Sequence, residues 1–309
     1  MCIRDSRLGG RRVELWSTAF LAFMPLHVQQ AHFATADVPL AFFATGALLF
    51  SMRLAQRGRC RDALATGLWV GLAVGCKASA LLLVMPVLAA CAWGVYGRRA
   101  QAAHGLVAAG TALAAWACSN PFAVLELPRF LANVADQAAL ARGAAVAPYT
   151  LQYHGTWPYL YPLGQQLVWG MGPWLGLACF SGLGAALWQA ARRAVGPAQW
   201  VALAWALPFC AFTGGLFVKF PRYLLPLTPL LAVYGAQAVA ASPAAGAVGR
   251  CVRRAAAVSA WLSAALISLA LVISYRQPHP WIAASAWLQA RLAPGARVAV
   301  EAWDHPLPL

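Results

Sequence analysis

Seven long stretches of this chain contain no charged residue, and they constrain the fold more than any other feature. They run over residues 15–36, 78–97, 100–125, 143–191, 194–218, 223–249 and 255–275. A helix crosses the hydrocarbon core of a bilayer with about 20 apolar residues, so each stretch is long enough to span it. Charged residues make up 10% of the chain, against roughly 25% in an ordinary soluble domain. The sequence therefore predicts an all-α polytopic membrane protein.

The basic residues indicate which ends of the spans face inward. The net charge is +15, but its arginines are concentrated in short segments between apolar stretches. These segments are 7–12, 53–61, 98–99, 192–193 and 250–254. Cytoplasmic loops of membrane proteins carry such an excess of basic residues. We therefore interpret the charge as a topology signal and expect the bilayer, not nucleic acid, as the partner.

Placing every arginine cluster inside gives about nine spans. We predict a cytoplasmic or non-native start at residues 1–12 and a transmembrane domain at 13–275 with an outer loop at 119–163. Residues 276–309 then begin an extracytoplasmic C-terminal domain. Within the loop, apolar residues recur at helical spacing over 127–142, which predicts an amphipathic helix on the outer leaflet.

Several polar residues fall on the predicted outer face. Asp37 and His32 lie between two apolar stretches, Lys77 lies at the tip of a predicted hairpin, and Lys219 and Arg222 follow another span. Ordinary roles are open for each. Asp37 could be a first-turn carboxylate favoured by the helix dipole, His32 an interfacial residue, and the cations headgroup anchors. An ionisable residue at a membrane helix end is otherwise a functional candidate.

The grouping of these residues on one face favours a binding site. One carboxylate with three cations suits an anionic lipid headgroup, because Lys and Arg are the usual phosphate partners. Aromatic and imidazole side chains occur in the same outer segments, and their rings suit the apolar faces of sugars. An aromatic belt at the membrane interface is the alternative. The aromatic and imidazole side chains proposed to contact a sugar are Tyr153, His154, Tyr159, Tyr161 and Tyr223.

An ordered set of motifs carries a resemblance to a known family. The motifs are HFATADVPLAFF, GLAVGCKASALLLVMP, NPF at 120–122, YHGTWPYLYPL, KFPRYLLPLTPLLA and VAVEAWDHPLP. In this order they resemble the family 39-type glycosyltransferases of GT-C fold, which are related to protein O-mannosyltransferases and the lipid A aminoarabinose transferase. The resemblance covers nearly the whole chain and implies a GT-C-like bundle in the plasma (inner) membrane.

The resemblance implies transfer of a sugar from a polyprenyl or dolichyl phosphate carrier to a protein, lipid or glycan acceptor, on the extracytoplasmic side. It implies that Asp37, with His32 beside it, is catalytic and orients a substrate. Lys77, Lys219, Arg222 and the five aromatic and imidazole side chains would bind substrate. The family's catalytic base lies in an acidic first outer loop. By this match residue 13 begins near the third family span, so we expect a fragment that lacks the first two spans and most of the tail and is inactive alone.

The same residues also bear on a metal site and on other functions. Related enzymes can bind a divalent metal, but one acid and one histidine predict no metal site here, and no pair of cysteines has C-x-x-C spacing. We expect no cofactor. A polytopic transporter or lipid flippase is the alternative function. A transporter predicts an internal repeat and ionisable groups near the bilayer midplane, neither of which the sequence contains.

Overall fold

A computed structural model describes residues 10–93, 97–240, 246–293 and 295–299. This part of the chain is helical and contains no β-strand. Its α-helices are α1 Arg11–Ala22, α2 Pro25–Ala31, α3 Asp37–Arg57, α4 Cys60–Cys76, α5 Val84–Trp93, α6 Arg98–Ser119, α7 Pro121–Leu125, α8 Leu127–Arg142, α9 Leu160–Gln165, α10 Pro173–Ala191, α11 Pro197–Gly214, α12 Thr228–Ala240, α13 Ala247–Ser274 and α14 Pro280–Gln289. Short 3-10 helices cover Ala78–Leu83, Pro148–Tyr153 and Pro221–Leu227, and a π-helix covers Gln166–Gly170.

The membrane-protein prediction is confirmed. Four described helices, α3, α6, α10 and α13, are long and apolar enough to cross a bilayer, and the segment Ala78–Trp93 is a shorter apolar helix. The amphipathic helix expected over 127–142 is present as α8, Leu127–Arg142, with no buried residue. The number of spans, about nine, stays a prediction, because the other apolar helices are shorter than these four.

Helices α3 and α4 form an antiparallel hairpin that brings residues 37 and 77 together. Gly58 ends α3 with φ 59°, a left-handed conformation that glycine adopts without a side-chain clash. Halfway along the hairpin, the Trp69 ring lies against Gly46, where a Cβ would overlap it. At the far end, Lys77 leaves α4 with an extended backbone, φ −162° and ψ 136°. We call this end of the bundle the site end.

A glycine face on α4 determines how closely α6 approaches it. Gly67, Gly71 and Gly75 recur at four-residue spacing, and a Cβ on the first two would overlap the carbonyl oxygens of Ala108 and Ala112. Gly67 faces Ala108 and Gly71 faces Ala112, so the residue numbers increase in the same direction along both helices and α4 and α6 run parallel. Small residues let membrane helices pack backbone to backbone in this way. This packing holds the helix that ends at Lys77.

Large side chains fill the core on the other side of the bundle. Trp205 and Phe209 of α11 are buried and stack with ring centroids 4.4 Å apart. Tyr234 of α12 is fully buried, and its hydroxyl accepts a hydrogen bond from Gln199 Nε2 at 3.1 Å. The buried tyrosine hydroxyl is therefore satisfied, as such groups usually are.

The region predicted as an outer loop, 119–163, is largely helical. It contains α7, α8, the 3-10 helix Pro148–Tyr153 and the start of α9. Gly143 ends α8 with φ 77°, and a Cβ at this position would be 2.8 Å from the Phe217 ring. The amide of Val218 also donates to the carbonyl of Ala141 at 3.1 Å. These contacts attach α8 to the segment that carries Lys219.

Both chain ends are only partly described. Residues 1–9 lie outside the described residues, and α1 begins at Arg11. In the predicted C-terminal domain, 276–309, the structure contains α14, Pro280–Gln289, whose N-cap is His279. The motif VAVEAWDHPLP lies almost entirely outside the described part of the chain.

Candidate functional site

A buried carboxylate with two cations forms the centre of the site. Only 6% of the Asp37 side chain is exposed. Lys77 Nζ donates to Asp37 Oδ1 at 2.7 Å, and Arg222 Nε lies 3.5 Å from Asp37 Oδ2. Both carboxylate oxygens therefore face a positive charge. The cations stay partly open to solvent, with 33% of the Lys77 side chain and 38% of the Arg222 side chain exposed.

Three separate chain segments position this cluster, which we call the Asp37 cluster. Asp37 is the first residue of α3, Lys77 follows the last residue of α4, and Arg222 is the second residue of the 3-10 helix Pro221–Leu227. The α3 N-cap is Ala36, and no side chain caps this helix. Asp37 gains from the helix dipole, but its hydrogen bond goes to a cation and not to backbone amides.

Aromatic rings pack on both cations. Lys77 Nζ lies 4.2 Å from the Tyr223 ring centroid, and the Arg222 guanidinium lies 4.4 Å from that of Phe220. Both distances suit a cation–π interaction. The buried Tyr153 ring meets the Phe220 ring edge-on, with centroids 5.5 Å apart. Phe220 therefore connects the predicted tyrosines to the Asp37 cluster.

Tyr153 and Tyr223 are in the phenol form at neutral pH, as tyrosines ordinarily are. Burial raises the pKa of Tyr153 to about 12, and the neighbouring Tyr161 and Tyr223 add to this increase. Burial also raises the pKa of Tyr223, against the lowering effect of Arg222. At neutral pH both hydroxyls carry their proton, so each can donate a hydrogen bond as well as accept one.

Lys219 is bonded to other partners than the Asp37 cluster. The residue is 4% exposed, and its ammonium donates to Thr156 Oγ1 at 3.1 Å and to the carbonyl of Phe217 at 3.0 Å. It has no ion pair with a carboxylate in the described part of the chain. Burial lowers the pKa of Lys219 below its ordinary value. A buried cation whose partners are neutral can still bind an anion.

None of the remaining predicted residues has a hydrogen bond or ion pair with Asp37 in the described part of the chain. His32 is exposed, stacks on Tyr275 with ring centroids 4.6 Å apart, and donates from Nδ1 to the carbonyl of Val28 at 2.7 Å. The hydrogen bonds of Asp37 and His32 thus go to different partners. His154 is exposed. The Tyr161 ring lies 6.1 Å from Tyr153 in an edge-on contact.

Tyr159 has a role in the backbone as well as an exposed ring. It has φ 61°, a conformation that costs a residue other than glycine roughly 1–3 kcal/mol. Its amide donates to the carbonyl of Gly214 at 2.9 Å, and its ring covers Gly214 so closely that a Cβ there would be 2.5 Å from it. Tyr159 therefore fastens the segment after Thr156 to the end of α11.

Two features of the sequence could have identified more of the site. Lys77 and Lys219 are the only lysines among 23 basic residues, and both lie in the candidate site. A chain that otherwise uses arginine keeps its two lysines here. Gln29, Gln30 and Thr35, which precede Asp37 in the chain, line a cavity beside Arg222 and were not predicted.

Metal-binding side chains do not cluster in the described part of the chain, where no group of three or more His, Cys, Asp or Glu residues occurs. The Asp37 cluster itself contains a single carboxylate, whose oxygens are directed at cations. The Asp37 cluster therefore offers positive charge to an anion.

A large apolar groove begins next to the Asp37 cluster. Its volume is about 1000 Å³, and α4, α5, α6 and α8 line it. At the site end its walls include Ala78, the neighbour of Lys77, and Phe130 of α8. At the opposite end they include Gln101 near the start of α6. The groove thus follows most of the length of α6 and is apolar along it.

Comparison with known families identifies a relation. Residues 6–123 match the family described as dolichyl-phosphate-mannose-protein mannosyltransferase. Over these residues the chain is similar to that family of membrane glycosyltransferases. The relation confirms the resemblance found in the sequence at the level of the reaction class, transfer of a sugar from a polyprenyl phosphate donor. The matched residues include Asp37 and Lys77 but end before Arg222. No curated protein and no solved structure matches the chain.

Proposed function

We propose that this chain is part of a membrane enzyme that transfers a sugar from a polyprenyl or dolichyl phosphate carrier to a protein, lipid or glycan acceptor. The reaction takes place at the extracytoplasmic face of the plasma (inner) membrane. The observation that carries the proposal is the Asp37 cluster, where two partly exposed cations are held by one buried carboxylate. One negative and two positive charges leave a net positive charge, which suits a phosphate diester.

The cations act on the leaving group. In the reaction, the bond between the anomeric carbon and the phosphate oxygen breaks, and its electron pair stays with the lipid phosphate. A bond from the acceptor oxygen to the anomeric carbon forms, and the acceptor proton passes to a base. Lys77 and Arg222 stabilise the charge that develops on the departing phosphate. The base in this scheme is the acidic pair that the family resemblance assigns to a first outer loop.

Asp37 acts as a positioning residue for the two cations. Its oxygens are directed at Lys77 and Arg222, and its side chain is 6% exposed, so neither oxygen is free to take a proton from an acceptor. Without this carboxylate the two cations would repel each other. Preorganised charges of this kind cost no reorganisation during the reaction, which is the source of their catalytic effect.

The apolar groove suits the tail of the lipid carrier. Ala78 lines the groove and directly follows Lys77, so a lipid whose phosphate meets Lys77 can place its chain along α4 and α6. Burying apolar chain in the groove stabilises the complex in proportion to the area covered. The phosphate and the tail of one molecule would thus occupy the two features together.

A lipid flippase is the second candidate, and the groove favours it. The groove extends from the site end to Gln101 near the start of α6, as a path across the bilayer would. A flippase moves the intact lipid, whereas a transferase breaks the bond between sugar and phosphate. The two functions therefore differ in whether the sugar and the lipid stay joined.

A doubly labelled donor separates these functions. Membranes containing the full-length enzyme receive a polyprenyl phosphate sugar with one label in the sugar and another in the lipid, and membranes with its Asp37→Asn variant are the control. We expect the sugar label to leave the lipid and enter an acceptor product, at a much lower rate in the control. Labels that stay on one molecule while it crosses the bilayer would contradict a transferase.

The orientation of the site has its own test. In a cysteine-free background, Gln152→Cys places a thiol on the exposed segment Pro148–Tyr153, and Arg59→Cys places one at the opposite end of α3. We expect an impermeant thiol reagent to label position 152 in intact cells and position 59 only after permeabilisation, because the arginine clusters lie inside. The reverse pattern would place the Asp37 cluster in the cytoplasm.

A further inference from the structure

A polar cavity of about 340 Å³ adjoins the Asp37 cluster. Residues from the end of α2, the turn after it and the start of the 3-10 helix Pro221–Leu227 line it. Arg222 belongs to both places, since it lines the cavity and pairs with Asp37. The volume is near the lower end of the roughly 300–1,000 Å³ typical of small-molecule sites. The cavity therefore suits one small group attached to whatever the Asp37 cluster binds.

The polar lining consists mainly of groups that both donate and accept hydrogen bonds. These are the amides of Gln29 and Gln30 and the hydroxyl of Thr35. Thr35 Oγ1 donates to Gln30 Oε1 at 3.1 Å, which orients the buried Gln30 amide. The Gln29 amide makes no hydrogen bond with the described part of the chain and is available to a ligand. Such groups match hydroxyls, which also donate and accept.

The rest of the lining indicates which polyhydroxylated ligands fit. The rings of Phe33 and Phe220 provide apolar surface for the C–H faces of a sugar. None of the lining residues is acidic, and Arg222 is the charged one. The nearby Asp37 carboxylate is directed at Lys77 and Arg222. A ligand with an ammonium group would meet a guanidinium here and find no carboxylate to pair with.

We propose that this cavity binds a single neutral monosaccharide ring and discriminates against amino sugars. This inference rests on the proposed glycosyl transfer and names the class of sugar that it uses. Gln29, Gln30 and Thr35 select the ring by its hydroxyls, and Arg222 excludes a protonated amine by like-charge repulsion. Specificity of this kind combines an attractive contact with a repulsive one. The sugar can belong to the lipid donor or to the acceptor.

Native mass spectrometry of the chain in micelles tests this selection. The probes are polyprenyl phosphate glucose, polyprenyl phosphate glucosamine with a free amine, and sugar-free polyprenyl phosphate. We expect the glucose lipid to bind roughly tenfold more tightly than the glucosamine lipid, because like charges across a binding site are unfavourable. Gln29→Glu, which adds a carboxylate at nearly constant shape, should remove or reverse this preference. Gln152→Glu makes the same change on the exposed segment Pro148–Tyr153 and should leave the preference intact.

The outcomes separate this inference from the proposed function. If Gln29→Glu changes the preference between methyl glucoside and methyl glucosaminide but not between the lipids, the cavity still binds a neutral sugar, and that sugar is the acceptor's. Equal binding of the neutral and amino forms by the wild type, or no change in Gln29→Glu with either probe pair, overturns the inference. Failure of the wild type to bind any of the three lipids contradicts the proposed function, and the free glycosides then decide the cavity alone.

Discussion

Two buried carboxylates begin neighbouring helices at opposite ends of one hairpin, and their surroundings differ. Asp37 begins α3 at the site end, and Asp62 lies in the first turn of α4 at the other end. Each residue is 4% exposed. Asp37 has Lys77 and Arg222 as partners, whereas Asp62 Oδ2 has no hydrogen-bond partner and Asp62 has no ion pair in the described part of the chain.

The comparison distinguishes a helix-start carboxylate from a site carboxylate. A first-turn position alone gains from the helix dipole, and Asp62 has that gain without a bonded cation. At the Asp62 end, the arginines Arg59 and Arg61 are exposed. At the Asp37 end, two cations from distant segments converge on one carboxylate. A position in the first turn of a helix therefore does not show that a carboxylate belongs to a site. The ion pairs of Asp37 with cations from two distant chain segments are what distinguish it from Asp62.

The largest effect on sugar transfer is expected from neutralising Asp37, with the neutralisation of Asp62 as the control. In the full-length enzyme, Asp37→Asn leaves Lys77 and Arg222 without the charge that holds them, so transfer should fall on the order of 10²-fold, as for other preorganised contacts. Binding of sugar-free polyprenyl phosphate should persist, because both cations remain. Asp62→Asn should leave transfer near the wild-type rate. Initial rates in matched membranes measure both variants, and equal losses would mean that the two carboxylates share a structural role.

A smaller effect should follow from separating the helices that carry the hairpin. Gly71→Leu places a side chain against the Ala112 carbonyl of α6, so α4 must move and Lys77 moves with it. Overpacking of this kind costs typically 1–3 kcal/mol of stability. Thermal unfolding in detergent measures it. Gly110→Leu on α6 is the matched control because a side chain there meets nothing within 4 Å. Equal unfolding temperatures for the two variants would refute the close packing of α4 on α6.

The smallest effect concerns Lys219, a buried cation whose partners are neutral. Because burial lowers its pKa below 10.5, the folded protein loses this proton at a lower pH than the unfolded chain. The free energy of unfolding should rise as the pH increases from the folded pKa towards 10.5. Lys219→Met should abolish this rise and leave stability at neutral pH unchanged or up to about 1 kcal/mol higher.

The free energy of unfolding of Lys219→Met should be measured across this pH range, with Lys77→Met for comparison. These measurements show whether the buried Lys219 charge stabilises or destabilises the protein. Lys77→Met removes a partner of the buried Asp37 and should destabilise the protein at neutral pH. If Lys219→Met destabilises the protein as much as Lys77→Met does, then the bonds to Thr156 and Phe217 outweigh the cost of burying the charge.

The sequence predicted which residues share the site end but not how they pair. The positive-inside rule and a helical hairpin are enough to bring positions 37 and 77 to one face. The bond of Arg222 to Asp37 depends on how the 3-10 helix Pro221–Leu227 packs against α3. That packing is a matter of side-chain fit and leaves no periodic pattern.

His32 illustrates the limit of local reasoning. Only four residues separate it from Asp37, but α2 ends at Ala31 and a turn lies between the two residues. Its ring stacks on Tyr275, a residue far along the chain, which local sequence cannot indicate. The helix α8 was predictable because its apolar residues recur with helical periodicity, and the structure contains it over the predicted residues.

The most direct test of the account is the affinity of the chain for sugar-free polyprenyl phosphate. Native mass spectrometry should compare the wild type with Lys77→Gln and with Arg59→Gln, an exposed arginine at the opposite end of the hairpin. If the Asp37 cluster is the phosphate site, Lys77→Gln weakens binding by roughly tenfold or more, since a charge-assisted contact is lost, and Arg59→Gln binds like the wild type. Equal affinities for Lys77→Gln and the wild type would contradict a phosphate site at the Asp37 cluster.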